Sequence, residues 1–482
     1  MNFTILQLLH ISSFIEKCWC ALKCNLNLEV VEDFFNVFQS LIDSNTWNPS
    51  PFWGVFDKGE VEVSQNTFRK VNNDLGKQFE RSLWLGRYSS AHCLLNKQAL
   101  ALVNSDTHEA LKQLHPFEEE LTHFSSLLVG NNYWSSNPLT VKEVFYSLKS
   151  RKPGSAPGPS GLSYDHLKHA FAFSSVLIEK LCSYFNKVLA GGCDFPSLLK
   201  SSTLVALSKP GGGVRPIAVS ESITRLFAVC VFNRCKTSCV NYLYQYQWVI
   251  GVVDGASSAV SAVQTLLYHH SSNAALMLDF SNAFNSVTRS SILNALNASP
   301  LSAVVPYFFT LYRNSSNLLF NKYTVLSSSG VKQGDPLGPL LFCLAVNQII
   351  VKFQEKFSDF KIVGYMDDLT LVGEPTEMEE AMAYFGSLAK EIGLFLNAKK
   401  CLIIVRNDST KLFYEEVEVP SINFNEDAVR LLGSFIGNSS KVQSLLEKQL
   451  EIFENELSMV SDFSIPKQIL ICFLKIMLLL KI

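Results

Sequence analysis

Apolar positions recur at three- and four-residue spacing over 137–150, NPLTVKEVFYSLKS, with Thr140 ahead of the run and Glu143 three residues on. That pattern predicts a capped helix whose apolar face is Val144, Phe145 and Leu148. Residues 151–162, RKPGSAPGPSGL, are dominated by glycine and proline, and a second helix is expected after Leu162. In TLVALSKPGGGVRPIAV, 203–219, two β-rich runs flank a Lys-Pro-Gly-Gly-Gly turn. This is a hairpin pattern, with Lys209 leading into the tip and Arg215 leaving it. NAALMLDFSNAFNSV, 273–287, reads as an apolar strand that delivers Asp279 at its end, with Phe284 five residues later and a helix from about Thr288. SSSGVKQGDPLGPLLFCLAVNQIIVKF, 327–353, is a glycine-rich loop carrying Lys332, Gln333 and Gly334, and Pro336 and Leu337 open a long apolar helix. In KIVGYMDDLTLVG, 361–373, two short strands flank Asp367 and Asp368, which a tight hairpin would place at its turn. AKEIGLFLNAKKCLIIV closes an amphipathic helix and enters a strand, with Lys399 and Lys400 in the connection; AVRLLGSFIGN, 428–438, is a further short hairpin.

Composition narrows the class. The chain has 482 residues, 48% of them hydrophobic, enough for a sizeable core and more than one domain. A net charge of −2 excludes a uniformly basic nucleic-acid coat, yet residues 141–240 hold 13 Lys or Arg against 5 Asp or Glu. That stretch suits either a phosphate-facing surface or an ordinary solvated one. The 12 cysteines show no disulfide framework, and neither Cys18, Cys20 and Cys24 nor Cys230, Cys235 and Cys239 form paired zinc-binding arms. Reduced, buried thiols are expected, as in an intracellular protein. The first residues show no basic n-region, so no secretory leader is expected there, and no run reaches 18 apolar residues. His92, His108 and His115 have no matching carboxylate or cysteine spacing and read as ordinary histidines.

Adjacent aspartates raise each other's pKa unless a cation intervenes. Divalent metal is the natural cation, and Asp279 could complete a site with Asp367 and Asp368 suited to two-metal phosphoryl transfer. Taken alone, Asp279 could equally face water or cap the following turn. The basic hairpin could present Lys209 and Arg215 to one anionic ligand, and the loop at 151–162 could hold a phosphate backbone or act as a hinge.

In this order the blocks GPSGLSYDHLK, KPGGGVRPIAV, LDFSNAFNSV, SSGVKQGDPLGPLLF, YMDD, GLFLNAKKC and LLGSFIG resemble the reverse transcriptases of non-LTR (LINE-like) retrotransposons, over about 130–440. The resemblance implies an α+β fold, a right-hand polymerase with fingers and an antiparallel palm sheet. Its expected parts are a helical N-terminal region over 1–130, fingers with part of the palm over 131–275, palm over 276–437, and a partial helical thumb beginning at 438 and cut short at 482. It implies metal ligation by Asp279, Asp367 and Asp368, with two Mg²⁺ ions (Mn²⁺ as a substitute). It places Lys209 and Arg215 on the incoming triphosphate, Phe284 as the wall excluding a ribose 2′-hydroxyl, Gln333 and Gly334 beside the nascent base pair, and Lys400 near departing pyrophosphate.

The expected partners are an RNA template, a DNA primer and deoxynucleoside triphosphates, with no membrane; nuclear action is expected if the chain serves retrotransposition. Asn285 stands where the family often has aspartate, and Met366 where LINE-like enzymes commonly have alanine. No block resembles an endonuclease, an RNase H or a zinc knuckle. RNA-directed RNA synthesis and a retroelement remnant that binds nucleic acid without polymerising remain the alternatives.

Overall fold

The structure, a computed structural model, describes residues 100–121, 133–209, 212–269, 274–405, 423–424 and 428–461. The chain divides into two compact units, 1–47 with 101–438 and 48–100 with 439–482. The helices expected over 1–99, Cys18, Cys20, Cys24, His92 and the end of the proposed thumb lie outside the described residues.

In chain order the longer elements of the first unit are α1 (Ser105–Gln113), α2 (Val141–Lys149), α3 (Tyr164–Phe173), α4 (Ser175–Leu189), β1 (Ser202–Ser208), β2 (Val214–Ser220), α5 (Ser222–Leu243), α6 (Gly255–His269) and β3 (Ala274–Leu278). Then come α7 (Arg289–Asn297), α8 (Val305–Tyr312), β4 (Ser316–Phe320), β5 (Tyr323–Ser327), α9 (Gly338–Lys356), β6 (Lys361–Tyr365), β7 (Asp368–Gly373), α10 (Met378–Glu391), β8 (Leu402–Val405), β9 (Asn423–Phe424), β10 (Ala428–Leu431) and β11 (Ser434–Gly437). In the second unit, α11 spans Ser439–Ser461.

The fold is α+β, built on two main sheets. The first has strand order β2-β1-β4-β5, with β1 antiparallel to β2 and parallel to β4. Leu111 of α1 packs on one face of it, against Leu204, Ala206, Ala218, Leu318 and Val325. The second has order β6-β7-β3-β8-β9 and is antiparallel except for the β8–β9 edge. Both faces of this second sheet are covered, which explains why β3 reads as the unbroken apolar run AALML. Ala274, Leu276 and Leu278 point into the main helical core, while Ala275 and Met277 point at α6. β8 splits the same way, Ile403 inward and Ile404 outward, as the two-residue period of a strand requires. The β10–β11 hairpin adds Val429, Leu431 and Ile436 to the α6 side. On the other face, α9 is buried nearly all round, from Leu340 to Val346, consistent with its continuous apolar sequence.

α2 begins as expected: Thr140 and Glu143 close a reciprocal capping box. Its buried face is Val144, Ser147 and Leu148, whereas Phe145 is 44% exposed and lies edge-on to Tyr146. Position 145 lies one residue, about 100° of helix rotation, from the buried stripe. His108 stacks on Tyr323, and the His115 ring bonds the Leu111 carbonyl, so both histidines are structural. Cys230, Cys235 and Cys239 share α5 as buried thiols.

The loop between β5 and α9 is fixed by buried polar groups. The Arg289 guanidinium donates to the carbonyls of Gly330, Tyr312, Asn314 and Ser327. The Asp335 carboxylate accepts from the hydroxyls of Tyr307 and Tyr312 and from the Leu337 N–H. Glu118 accepts the backbone N–H groups of Arg289 and Ser290, closing the start of α7. Arg289→Met would strand several buried carbonyls; it is expected to lower unfolding free energy by at least about 3 kcal/mol, read from the denaturant midpoint, and an unchanged midpoint would contradict the clamp.

Candidate active site

Asp279 stands one residue beyond β3, half-buried, where the chain still pairs with its neighbour. The Asn397 N–H donates to the Asp279 carbonyl (2.8 Å), Phe280 bridges Leu396, and the Ser281 N–H bonds Phe395 O. The Lys400 N–H closes a turn onto Asn397 O (2.8 Å), which brings the lysine connection beside Asp279. Burial raises the Asp279 carboxyl above its ordinary range, and the charges of Lys400 and Lys209 pull against that rise. The β1–β2 hairpin holds exposed Lys209 at its mouth, where the Lys209 N–H bonds Gly213 O, and presents Arg215 from β2.

The acidic hairpin differs by one residue from the expected arrangement. Tyr365 pairs with Asp368, so the two-residue turn is Met366–Asp367, and Asp368 is the first residue of β7. The tight closure puts Met366 at φ +59°, an uncommon conformation for a non-glycine residue. Leu278 pairs with Leu369, so Asp279 and Asp368 occupy the next positions of adjacent strands. Burial raises the Asp367 carboxyl, its own backbone N–H lowers it, the Asp279 charge raises it, and Arg215 lowers it. Asp368 is pushed up to about 6, by desolvation first and then by the charges of Asp367 and Asp279. Three carboxylates and the cations Lys209, Arg215 and Lys400 therefore share one electrostatic neighbourhood.

Among the described residues, no three Asp, Glu, His or Cys side chains form a ready-made cation cage. The donor chemistry nevertheless fits a hard divalent ion, since hard cations take oxygen ligands and positive charge would relieve the mutual repulsion.

In the glycine-rich loop, Gly330 and Gly334 lie against the chain's own backbone. A Cβ on Gly330 (φ +63°) would lie 2.4 Å from the Phe284 carbonyl, and one on Gly334 (φ +129°) 2.4 Å from the Ala218 carbonyl. Both are sites where the chain meets its own backbone. The Val331 N–H donates to Phe284 O (2.8 Å), and the Ala218 N–H to Gln333 O (2.7 Å). The loop thus joins the first sheet to the turn bearing Phe284. The half-buried Phe284 ring stacks on Phe342 of α9, centroids 4.8 Å apart. Lys332 is buried, its Nζ donating to Lys200 O, and burial pulls its amine down to about 7.

Arg289, Glu118 and Gln247 lie outside the quoted blocks, and Asp335 lies inside SSGVKQGDPLGPLLF with no pattern that marks it as a buried anchor. Gln247 in particular lies in an aromatic stretch, YLYQYQWV, and is fully buried against the acidic turn.

Residues 207–436, which hold every one of these groups from Lys209 to Lys400, match the family described as reverse transcriptase (RNA-dependent DNA polymerase). This segment is similar to reverse-transcriptase domains. The chain is 26% identical over 331 residues to a Pol polyprotein from a type-1 R2 retrotransposable element of Nasonia vitripennis, covering 64% of this chain and 31% of that protein. It is 25% identical over 263 residues to the 132 kDa protein of the retrotransposable element SLACS of Trypanosoma brucei gambiense, covering 52% and 22%. It is also 25% identical over 272 residues to the R2DM Pol polyprotein of Drosophila melanogaster, covering 52% and 25%. The matches span between about a fifth and a third of the length of these relatives. All three are proteins of retrotransposable elements.

A carboxyl whose folded pKa is raised destabilises the fold when ionised. For Asp368 the folded state holds the extra proton between the ordinary aspartate range near 3.8 and about 6, so stability falls as pH rises through that window and is flat above it. Asp368→Asn should therefore raise the unfolding free energy of the metal-free protein at pH 7, by no more than about 1 kcal/mol after solvent screening, read as a higher melting temperature. The gain should vanish near pH 4; an equal gain at both pH values would rule out charge repulsion as its source.

Proposed function

We propose that the domain is an RNA-directed DNA polymerase, extending a DNA primer on an RNA template with deoxynucleoside triphosphates. The observation that carries the reading is the coupling of Asp279, Asp367 and Asp368, from two sequence-distant segments, within reach of the Lys209, Arg215 and Lys400 charges. In this reading 131–275 supplies fingers with part of the palm, 276–437 the palm, and 438 onward the start of a thumb. The three aspartates would hold two Mg²⁺ ions, which when bound favour deprotonation of a primer hydroxyl and offset the charge developing on phosphate. Lys209 and Arg215 would bind the triphosphate as exposed surface cations, and Lys400 would neutralise or protonate the departing pyrophosphate. Gln333 and Gly334 would border the nascent base pair on a loop fixed from beneath by Asp335.

Phe284 is the proposed sugar gate. Stacking on fully buried Phe342 prevents its ring from yielding to a 2′-hydroxyl, which favours DNA over RNA synthesis. Phe284→Val should raise incorporation of ribonucleotides relative to deoxynucleotides by tenfold or more, on the order of 1–3 kcal/mol of discrimination. Unaltered sugar selection in that variant would remove the gate.

A second reading, nucleic-acid binding without polymerisation, is favoured by the open arrangement of the carboxylates among the described residues. Primer extension on poly(rA)/oligo(dT) separates the two. The chain should extend the primer in Mg²⁺, and the Asp367→Asn, Asp368→Asn double variant should give background signal; equal extension by both proteins would sink the polymerase assignment.

A further inference from the structure

Gln247 follows the C-terminus of α5, its N–H bonded to Leu243 O (2.9 Å), and its side chain has no solvent exposure. Both ends of its carboxamide are used on one residue. The Met366 N–H donates to Gln247 Oε1 (3.0 Å), and Gln247 Nε2 donates to Met366 O (3.3 Å). The backbone on either side pairs with the same strand: the Gly364 N–H bonds Tyr246 O (2.8 Å), and the Trp248 N–H bonds Gly364 O (2.9 Å). The side chain thus extends a short parallel bridge by two residues, from Gly364 to the turn. Gly364 makes this possible, because a Cβ there would lie 2.8 Å from Tyr246 O and 2.9 Å from Gln247 Nε2.

Met366 is the residue that most needs such support. It holds φ +59° with a full side chain, immediately before Asp367 and Asp368. A carboxamide is suited to the task, offering one donor and one acceptor in a fixed plane without a charge beside three carboxylates. Glutamate would lose the donor, and asparagine is one methylene shorter.

We propose that Gln247 is a positioning residue, whose buried carboxamide holds Met366 in its left-handed turn and so sets where Asp367 and Asp368 stand relative to Asp279. Only the kinetic arm of its test rests on the polymerase reading. The first measurement is hydrogen–deuterium exchange over 361–373 in the whole chain without nucleic acid. Gln247→Met should speed exchange at the turn by roughly tenfold or more while peptides from α9 and β3 keep wild-type rates. Gln247→Asn, polar but too short to span both partners, should do the same and serves if the methionine variant does not fold. In a Met366→Gly background, where positive φ is freely adopted, the effect of Gln247→Met should shrink.

In primer extension, Gln247→Met should lower kcat by about 10- to 100-fold with KM for the deoxynucleotide within about twofold, as expected for misplaced groups at an intact binding surface. Unchanged exchange at the turn, loss of protection spread evenly over the sheet, or an undiminished effect in the glycine background would each overturn the proposal. A wild-type chain that extends no primer would defeat the polymerase reading, and the exchange experiment would still decide the clamp.

Discussion

Repulsion among Asp279, Asp367 and Asp368 is the constraint around which this half of the molecule is organised, because a sheet buried on both faces carries all three at one end, Asp279 and Asp367 half-buried and Asp368 exposed. Left alone, three such groups would splay the β6–β7 turn away from β3. The surrounding structure opposes this from several directions. The pairing of β3 with β7 fixes Asp279 and Asp368 on neighbouring strands, and the Asn397 N–H further anchors the Asp279 main chain. Cations reach the cluster from the β1–β2 hairpin and from the connection ahead of β8, and each opposes the rise in carboxyl pKa. All of these cations sit on exposed surface, so they moderate the repulsion without extinguishing it, and the residual negative potential is what suits the site to a divalent ion.

The loop between β5 and α9 carries a different burden. It touches the first sheet through Ala218 and the Phe284 turn through Val331, and it is underpinned by Arg289 and Asp335. Its polar side chains face inward to a degree unusual for a glycine-rich loop: Lys332 and Asp335 are both buried. Hydrogen bonds thus tie the segment to two parts of the domain and satisfy its buried polar groups.

Much of this was legible in the sequence. Thr140 and Glu143 announced their helix, the glycine turn after Lys209 announced its hairpin, and β-formers on both sides of the paired aspartates marked β6 and β7. Asp279 as a strand-end carboxylate was legible because AALML is too short and too apolar for anything but a buried strand. The limits have physical causes. The hairpin register cannot be read to one residue when Met366, with no turn propensity, occupies a turn position. Phe145 looks like core from its chemistry and is exposed by its angle on the helix. Gly330 and Gly334 signal a close backbone approach, but sequence does not say to what, and it is the chain itself. Gln247 and Arg289 act through partners more than twenty residues away, a separation that leaves no local pattern, and the two tyrosine hydroxyls on Asp335 are equally distant in sequence.

The short bridge from Tyr246–Trp248 to Gly364 also bears on how the molecule behaves in company. β6 is the terminal strand of its sheet, and its sequence KIVGY combines strong β-propensity with a single charge. An unpaired edge of that composition would template the addition of a strand from another molecule. By occupying the backbone groups of Gly364, the segment after α5 interrupts that edge at its midpoint, so the same few residues that steady an acidic turn also guard the sheet against self-association.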